Sequence, residues 1–136
     1  MSKNQTPKEI LHIRDNNQEL RSISGNEWVL RKSMSAHWHS FVEIDMVTGG
    51  EGEQVLNGEC MKLERGVITI IKPTDWHSIT VTSPISFIHI AFDEKSLTSE
   101  ICDFLYRQTS NLCVHFDADR YKQQNKRSLP CSIVRF

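Results

Sequence analysis

The stretch V-E-I-D-M-V-T-G-G-E-G-E-Q-V-L-N-G-E-C-M-K-L-E-R-G-V-I-T-I-I-K-P-T-D-W-H, residues 42–77, decides the fold. Val42, Ile44 and Met46 alternate with Glu43, Asp45 and Val47, the period of a β-strand. Gly49–Gly52 is expected to break that strand, because glycine admits the positive φ of tight turns. Asn57-Gly58, between Glu53–Leu56 and Cys60–Leu63, is the strongest short hairpin signal. Glu64-Arg65-Gly66 reads as a second turn and Pro73-Thr74-Asp75 as a third. The nearly continuous apolar run Val67–Ile71 fits a strand covered on both faces.

Downstream, Ser78–Thr82 and Ile85–Phe92 are expected as two strands parted by Ser83-Pro84. Upstream, Glu27–Arg31 reads as a strand and Ile10–Ile13 as a short one within a polar lead-in. Strands at roughly ten-residue spacing indicate an antiparallel sandwich or barrel, so the fold class is mainly β. After Phe92 the period changes. Leu97, Ile101, Phe104 and Leu105 recur at helical spacing, which predicts a helix over Ser96–Gln108. Asn111–Phe116 is expected as a last strand, residues 117–128 as polar and weakly helical, and Leu129–Phe136 has no assignment.

The chain has 136 residues, 16 Lys+Arg against 17 Asp+Glu, and a net charge of −1. That length suits one domain. Hydrophobic content of 38% and charged content of 24% argue against wholesale disorder. Residues 1–32 carry six basic and four acidic side chains, residues 33–92 three and seven, and residues 93–136 seven and six. The middle therefore cannot present a broad phosphate-binding face, which argues against a cationic nucleic-acid binder. No apolar run approaches the ~20 residues of a membrane span. The first thirty residues lack a signal-peptide core, so a cytoplasmic location is expected. Cys60, Cys102, Cys113 and Cys131 form no CxxC clip and read as reduced, buried or semi-buried small hydrophobes.

His37, His39 and Glu43 form the unit H-W-H-S-F-V-E. On one extended strand, positions i, i+2 and i+6 share a face, so two imidazoles and a carboxylate would point the same way. A third imidazole, His77, follows the Pro73 turn. These ligand types suit Zn, Fe, Mn, Ni or Cu, and a metal would displace protons on binding. The other reading of the same four positions is a lining that bonds itself or an effector without metal.

The pattern H-x-H-xxx-E-x6-G, met by His37, His39, Glu43 and Gly50, resembles the first motif of the cupin superfamily. Gly66 and His77, with Pro73 between, keep the interval of the second motif. The chain departs from the pattern at Arg31, where cupins carry glycine, at Pro73, one place late, and at Val81, where they carry asparagine. A narrower resemblance covers about residues 28–116. His37–Gly52, residues 57–77 and I-S-F-I-H-I-A-F (85–92) are similar to the amino-terminal domain of AraC-type transcription regulators. It implies a cupin-like jelly-roll barrel over 28–92, an amino-terminal arm over 1–27, and a helix with a carboxy-terminal extension over 93–136.

The same resemblance implies an effector-sensing and dimerising domain of a regulator. Its small-molecule effector, a carbohydrate by analogy with the wider family, would shift the arm or the helix. The pocket candidates are His37, His39, Glu43, Asp45, Trp76, His77 and His89, and the candidate metal ligands are His37, His39, Glu43 and His77. Asp45 would bond an effector hydroxyl or sit at a wet barrel mouth, and His89 is read first as a satisfied interior histidine. Trp38 and Trp76 would pack at the rim or face an effector ring. His12 and His115 lie outside the motif and read as surface or packing residues. The stripe on 96–108 would pack on the barrel or contact a second copy. The family's paired helix-turn-helix units find no counterpart after Phe92, so no direct DNA binding is expected. The chain reads as a piece of a longer regulator, a truncated product or a free-standing sensor. Two rivals stand beside this reading: a small metal-dependent cupin enzyme, such as a dioxygenase or isomerase, and a dimerisation module with a filled barrel.

Overall fold

A computed structural model of the chain describes residues 11–13, 24–73, 75–117 and 119. The elements in order are β1 (Leu11–Ile13), β2 (Ser24–Leu30), β3 (Met34–His39), β4 (Val42–Leu56), β5 (Glu59–Leu63), β6 (Val67–Ile71) and β7 (Trp76–Phe92). A 3-10 turn at Glu94–Ser96, α1 (Ser99–Arg107) and β8 (Leu112–His115) follow. Of the expected lead-in and arm, residues 1–10 and 14–23 lie outside the described residues, as do most of 117–128 and Leu129–Phe136 with Cys131.

Two long strands organise the molecule. β4 and β7 pair antiparallel along their whole lengths, from Val42↔Phe92 to Leu56↔His77. The first half of β4 also pairs β6, and β6 pairs β8. The second half of β4 pairs β5 across the Asn57-Gly58 hairpin. The second half of β7 pairs β2, and its first half pairs β3, which carries the parallel strand β1. The result is two facing arms, β2-β7-β4-β6-β8 and β1-β3-β7-β4-β5, with β4 and β7 running through both. Strands that switch sheets do so at bulges or bends. Here the pairing shifts from Val47↔Phe87 to Gly52↔Val81, five residues of β4 against six of β7.

That bulge corrects two expectations. Gly49–Gly52 does not end the strand, and Ser83-Pro84 does not divide Ser78–Phe92. Both punctuators sit opposite one another at the bulge, where a residue without an N–H is tolerated and the ladder is already interrupted. Gly50 has φ +82°, and a Cβ there would collide with the Pro84 carbonyl oxygen. The bulge also inverts the inward phase of β4, from odd positions 43, 45 and 47 to even positions 52, 54 and 56. The hairpin turn forms as read, with Asn57 at φ 50° and Gly58 at φ 85°, both left-handed as a two-residue turn of this type requires.

The helix is shorter than predicted. Asp93 caps the 3-10 turn, and the Thr98 hydroxyl accepts from the Ile101 N–H to start α1. Leu105 is buried, whereas Phe104 is 59% exposed and Ile101 is also exposed. So the apolar stripe is only partly packed on the sheet. The cysteine reading is also corrected: among the described residues Cys60 and Cys113 are exposed on strands, and Cys102 is half-buried.

The interior between the two arms is divided. At one end Leu30, Val47, Leu63, Val67, Ile79, Ile85 and Phe87 form the apolar core, with Trp28, Met34 and Val81 packed against it. At the other end the polar inward positions are His37, His39, Glu43, Asp45, Gln54, Thr69 and His77, all buried, with the apolar Leu56 and Ile71 among them.

Candidate functional site

The polar end is assembled from both arms. β3 and the first half of β7 supply His37, His39 and His77, and the second half of β4 supplies Gln54. The facing arm supplies Glu43 and Asp45 from β4, Thr69 from β6 and His89 from β7. Two contacts cross the gap: His39 Nε2 to Glu43 Oε2 at 2.7 Å, and the Gln54 amide to Thr69 Oγ1 at 3.4 Å.

His39 and Glu43 meet for a reason other than the shared face of one strand. The chain bends at Ser40-Phe41, ending β3 and starting β4 on the opposite arm. The carboxylate therefore faces the imidazole across the interior. Phe41 stacks on His39 at 4.0 Å with the rings 8° from parallel, which fixes the plane of that imidazole.

Each of the three imidazoles has its Nδ1 committed. His37 Nδ1–H donates to the Ser35 carbonyl at 2.8 Å and His39 Nδ1–H to the Phe41 carbonyl at 3.0 Å. His77 Nδ1 lies 3.4 Å from Gln54 Oε1 and donates to it. A donor at Nδ1 leaves Nε2 as a bare lone pair in the neutral ring. Both His39 and His77 are 1% exposed. His39 Nε2 approaches Glu43 without hydrogen-bond alignment, and His77 Nε2 has no hydrogen-bond partner. A buried polar atom without a partner is costly, and a Lewis acid or a hydrogen-bond donor at this end would satisfy both Nε2 atoms.

Electrostatics follow from burial. His77 is pushed down to about 3 by burial, then by the neighbouring His37 and His39. Burial also lowers His37 and His39, against the carbonyls that hold their Nδ1–H groups. Glu43 is raised well above the carboxylate range by burial and by the charge of Asp45. Burial would raise Asp45 too, but its bonds to His89 and Glu43 outweigh it and hold the carboxyl low. His89 Nδ1 lies 2.7 Å from Asp45 Oδ1, and that bond raises the imidazole. The three imidazoles are thus held toward neutrality, Glu43 toward its neutral acid, and Asp45 and His89 toward an ion pair.

Of the residues named from sequence, His37, His39, Glu43, Asp45, His77 and His89 converge. Trp76 does not: it neighbours His77 on β7, and successive strand side chains point to opposite faces; its backbone N–H donates to Asn57 Oδ1 at 3.1 Å. Trp38 pairs opposite it on β3. Of the four candidate metal ligands, His39, Glu43 and His77 bring ligand atoms within 4.8 Å of one another. His37 stays outside that triad, its ring centre 4.2 Å from that of His77. His115 is exposed, its Nε2 3.1 Å from the Arg65 carbonyl, as a surface residue should be. Gln54 and Thr69 were missed. The signal was available in Thr69, a lone hydroxyl inside V-I-T-I-I, but Gln54 reads as a surface residue unless the phase inversion at Gly50 is known.

The donor set fits a transition-metal dication: two imidazole Nε2 lone pairs and a carboxylate, with each Nδ1 anchored in the manner of metal-ligating histidines. His39, Glu43 and His77 would hold such an ion.

The fold is that of cupins. The cupin domain of Cnp3 from Schizosaccharomyces pombe superposes with a TM-score of 0.52 at 10% identity, covering 58% of this chain and 61% of that one. A cupin superfamily protein from Desulfitobacterium hafniense DCB-2 gives 0.50 at 10% identity, covering 54% and 70%. No curated protein matches the sequence. The AraC-like ligand binding domain family matches residues 25–123, and no helix-turn-helix DNA-binding domain is detected with it. With nearly three-quarters of its length matched and a cupin-type sheet around a buried polar cluster, the chain belongs to the AraC-like ligand-binding domain family.

Proposed function

We propose that this chain is the effector-sensing and dimerising domain of a cytoplasmic transcription regulator, with DNA contacted by a different domain. One observation carries the reading. The polar end of the interior gathers His37, His39, Glu43, Asp45, His77 and His89 between the two arms, away from the apolar core. A small molecule held there touches both arms at once. It can bind one arrangement of the arms better than another, which is the requirement for a shift in population. Residues 28–92 make up most of the sensing barrel, to which β1 and the start of β2 from segment 1–27 and β8 from segment 93–136 add strands; the rest of those segments are the responsive arm and the helix with its extension. Trp76, on the outer face, belongs to the rim of this site rather than its lining.

Thermal unfolding of the chain against sugars and small carboxylic acids tests the reading. An effector at ~100 times its dissociation constant adds about 2.7 kcal/mol. Gln54→Ala, which removes the bridge to Thr69, should reduce that shift. If no compound shifts the transition, the sensing role fails.

A metal-dependent cupin enzyme is the second reading, favoured by the unpartnered Nε2 of His77 beside Glu43. A bound dication would supply Lewis acidity to an oxygen ligand. The chain's own residues would orient it and exclude water. Elemental analysis of protein purified without chelator, with His39→Ala as the control, separates the two readings.

A further inference from the structure

Among the described residues, three buried side-chain polar atoms have no hydrogen-bond partner. Two are the Nε2 lone pairs of His39 and His77. The third is of the opposite sense: the indole Nε1–H of Trp28, which can only donate. A buried donor without an acceptor is as costly as an acceptor without a donor.

On β2, Trp28 stands directly opposite Phe87 of β7, and Asn26 stands opposite His89. Residues directly opposite in an antiparallel pair share a face, so Asn26, Trp28 and Leu30 line the inward side next to His89 and Phe87. Exposure falls along that row, from exposed Asn26 through half-buried Trp28 to Leu30 at 8%. The His89 side chain is 21% exposed, against 3% for Asp45 and 8% for Glu43. The polar end therefore opens between β2 and β7, with Trp28 just inside the opening. Its ring stacks on Phe87 at 5.5 Å between centres and stands edge-on to His89 at 6.2 Å. The Nδ1 of His89 is engaged by Asp45 of β4, on the other side of β7.

We propose that Trp28 anchors an effector subsite at this opening, donating its indole N–H to the carbonyl oxygen of a small uncharged molecule with an apolar body. This rests on the reading of the polar end as the binding site and extends it to β2. Three kinds of oxygen can accept the bond, and the surroundings choose among them. A carboxylate would lose its hydration beside Phe87 for a single neutral donor, which is unfavourable. A hydroxyl brings a proton of its own, for which the Phe87 ring offers no acceptor. A carbonyl oxygen needs only the donor. The Trp28–Phe87 stack supplies a flat apolar wall for the rest of the molecule.

Cyclohexanone, cyclohexanol and cyclohexanecarboxylate, alike in ring and different in head group, test this on the full chain. Proton–nitrogen correlation spectra resolve one indole N–H signal for each tryptophan, and Overhauser contacts to Phe87 identify that of Trp28. Cyclohexanone is expected to move the Trp28 signal saturably, leaving those of Trp38 and Trp76 in place, and to bind more tightly than the other two. Trp28→Phe keeps a ring and removes the donor. It should weaken cyclohexanone binding about three- to tenfold, with an unchanged circular dichroism spectrum. The wild-type spectra decide the matter if that variant does not fold. A Trp28 signal unmoved by cyclohexanone, or moved equally by all three compounds, overturns the proposal. If a different compound still raises the unfolding temperature, sensing stands without this subsite; if none does, both fall.

Discussion

The two ends of the interior are lined by the same two strands and are chemically opposite. β4 contributes Val47 to the apolar end and Glu43 with Asp45 to the polar end, four and two residues away. β7 contributes Ile79, Ile85 and Phe87 to one and His77 with His89 to the other. At the apolar end burial itself stabilises, at roughly 25 cal/mol per Å2 of apolar surface. At the polar end burial is a cost, visible in the depressed imidazoles and the raised Glu43. One end holds the fold, and the other carries the cost of desolvating its polar groups.

The largest expected effect falls in the apolar end. Phe87→Ala should cost about 3–5 kcal/mol, as buried Phe truncations do, read from urea unfolding. Phe87 is 2% exposed and stacks on Trp28 at 5.5 Å between ring centres. A loss below ~1 kcal/mol would break the assignment of that end as the core.

At the junction of the two ends, Gly50→Ala should cost about 3 kcal/mol, from a left-handed non-glycine residue and a collision with the Pro84 backbone. Thermal unfolding reads it. A neutral result would mean that the bulge relaxes without harm to the core.

The polar end predicts a pH dependence with a definite sign. His77 is depressed from 6.5 to about 3, so below pH 6.5 the unfolded chain binds the proton that the folded one refuses. Stability therefore falls as pH falls from 6.5 toward 3, by up to about 1.4 kcal/mol per pH unit for this group. His37 and His39, also lowered, act in the same direction. His89 acts oppositely: its raised pKa stabilises below 6.5 and loses that benefit as pH rises through its folded value. His77→Gln should flatten the acid limb of the urea midpoint plotted against pH. An unchanged slope would place the sensitivity elsewhere.

The smallest stability effect is expected at Glu43→Gln, within about 1 kcal/mol of wild type at neutral pH. Glu43 is held toward its neutral form, and glutamine resembles that form. Raised above the carboxylate range, Glu43 stabilises at low pH and loses that contribution as pH rises through its folded value. The substitution should therefore be neutral or stabilising at pH 8 while abolishing cation uptake. A large destabilisation there would move Glu43 from the site to the scaffold.

Much of this was legible. Asn57-Gly58, the Arg65-Gly66 turn and the H-W-H-S-F-V-E unit are local signals, and local signals survive folding. The missed features are those in which a residue's usual meaning is inverted by its partner. Gly49–Gly52 and Pro84 punctuate when read singly, but placed opposite each other they make one bulge and let both strands continue. The odd numbering of 37, 39 and 43 suggested one strand face. The bend at Ser40-Phe41 brings the same groups together from opposing arms. Asp45 and His89 are 44 positions apart, and no local period announces their bond. Gln54 was invisible because its inward phase depends on the bulge. In the helix, spacing identified the apolar stripe but not how much of it the sheet covers.

The Gln54–Thr69 bridge has a consequence for how the interior communicates with the outside. Thr69 lies on β6 and pairs with Cys113 on β8, the outermost strand of its arm, which directly follows α1 in the chain. A single ladder therefore separates the polar chamber from the periphery. From Gln54 the sheet edge is reached through Thr69 and one further strand, without crossing the apolar end.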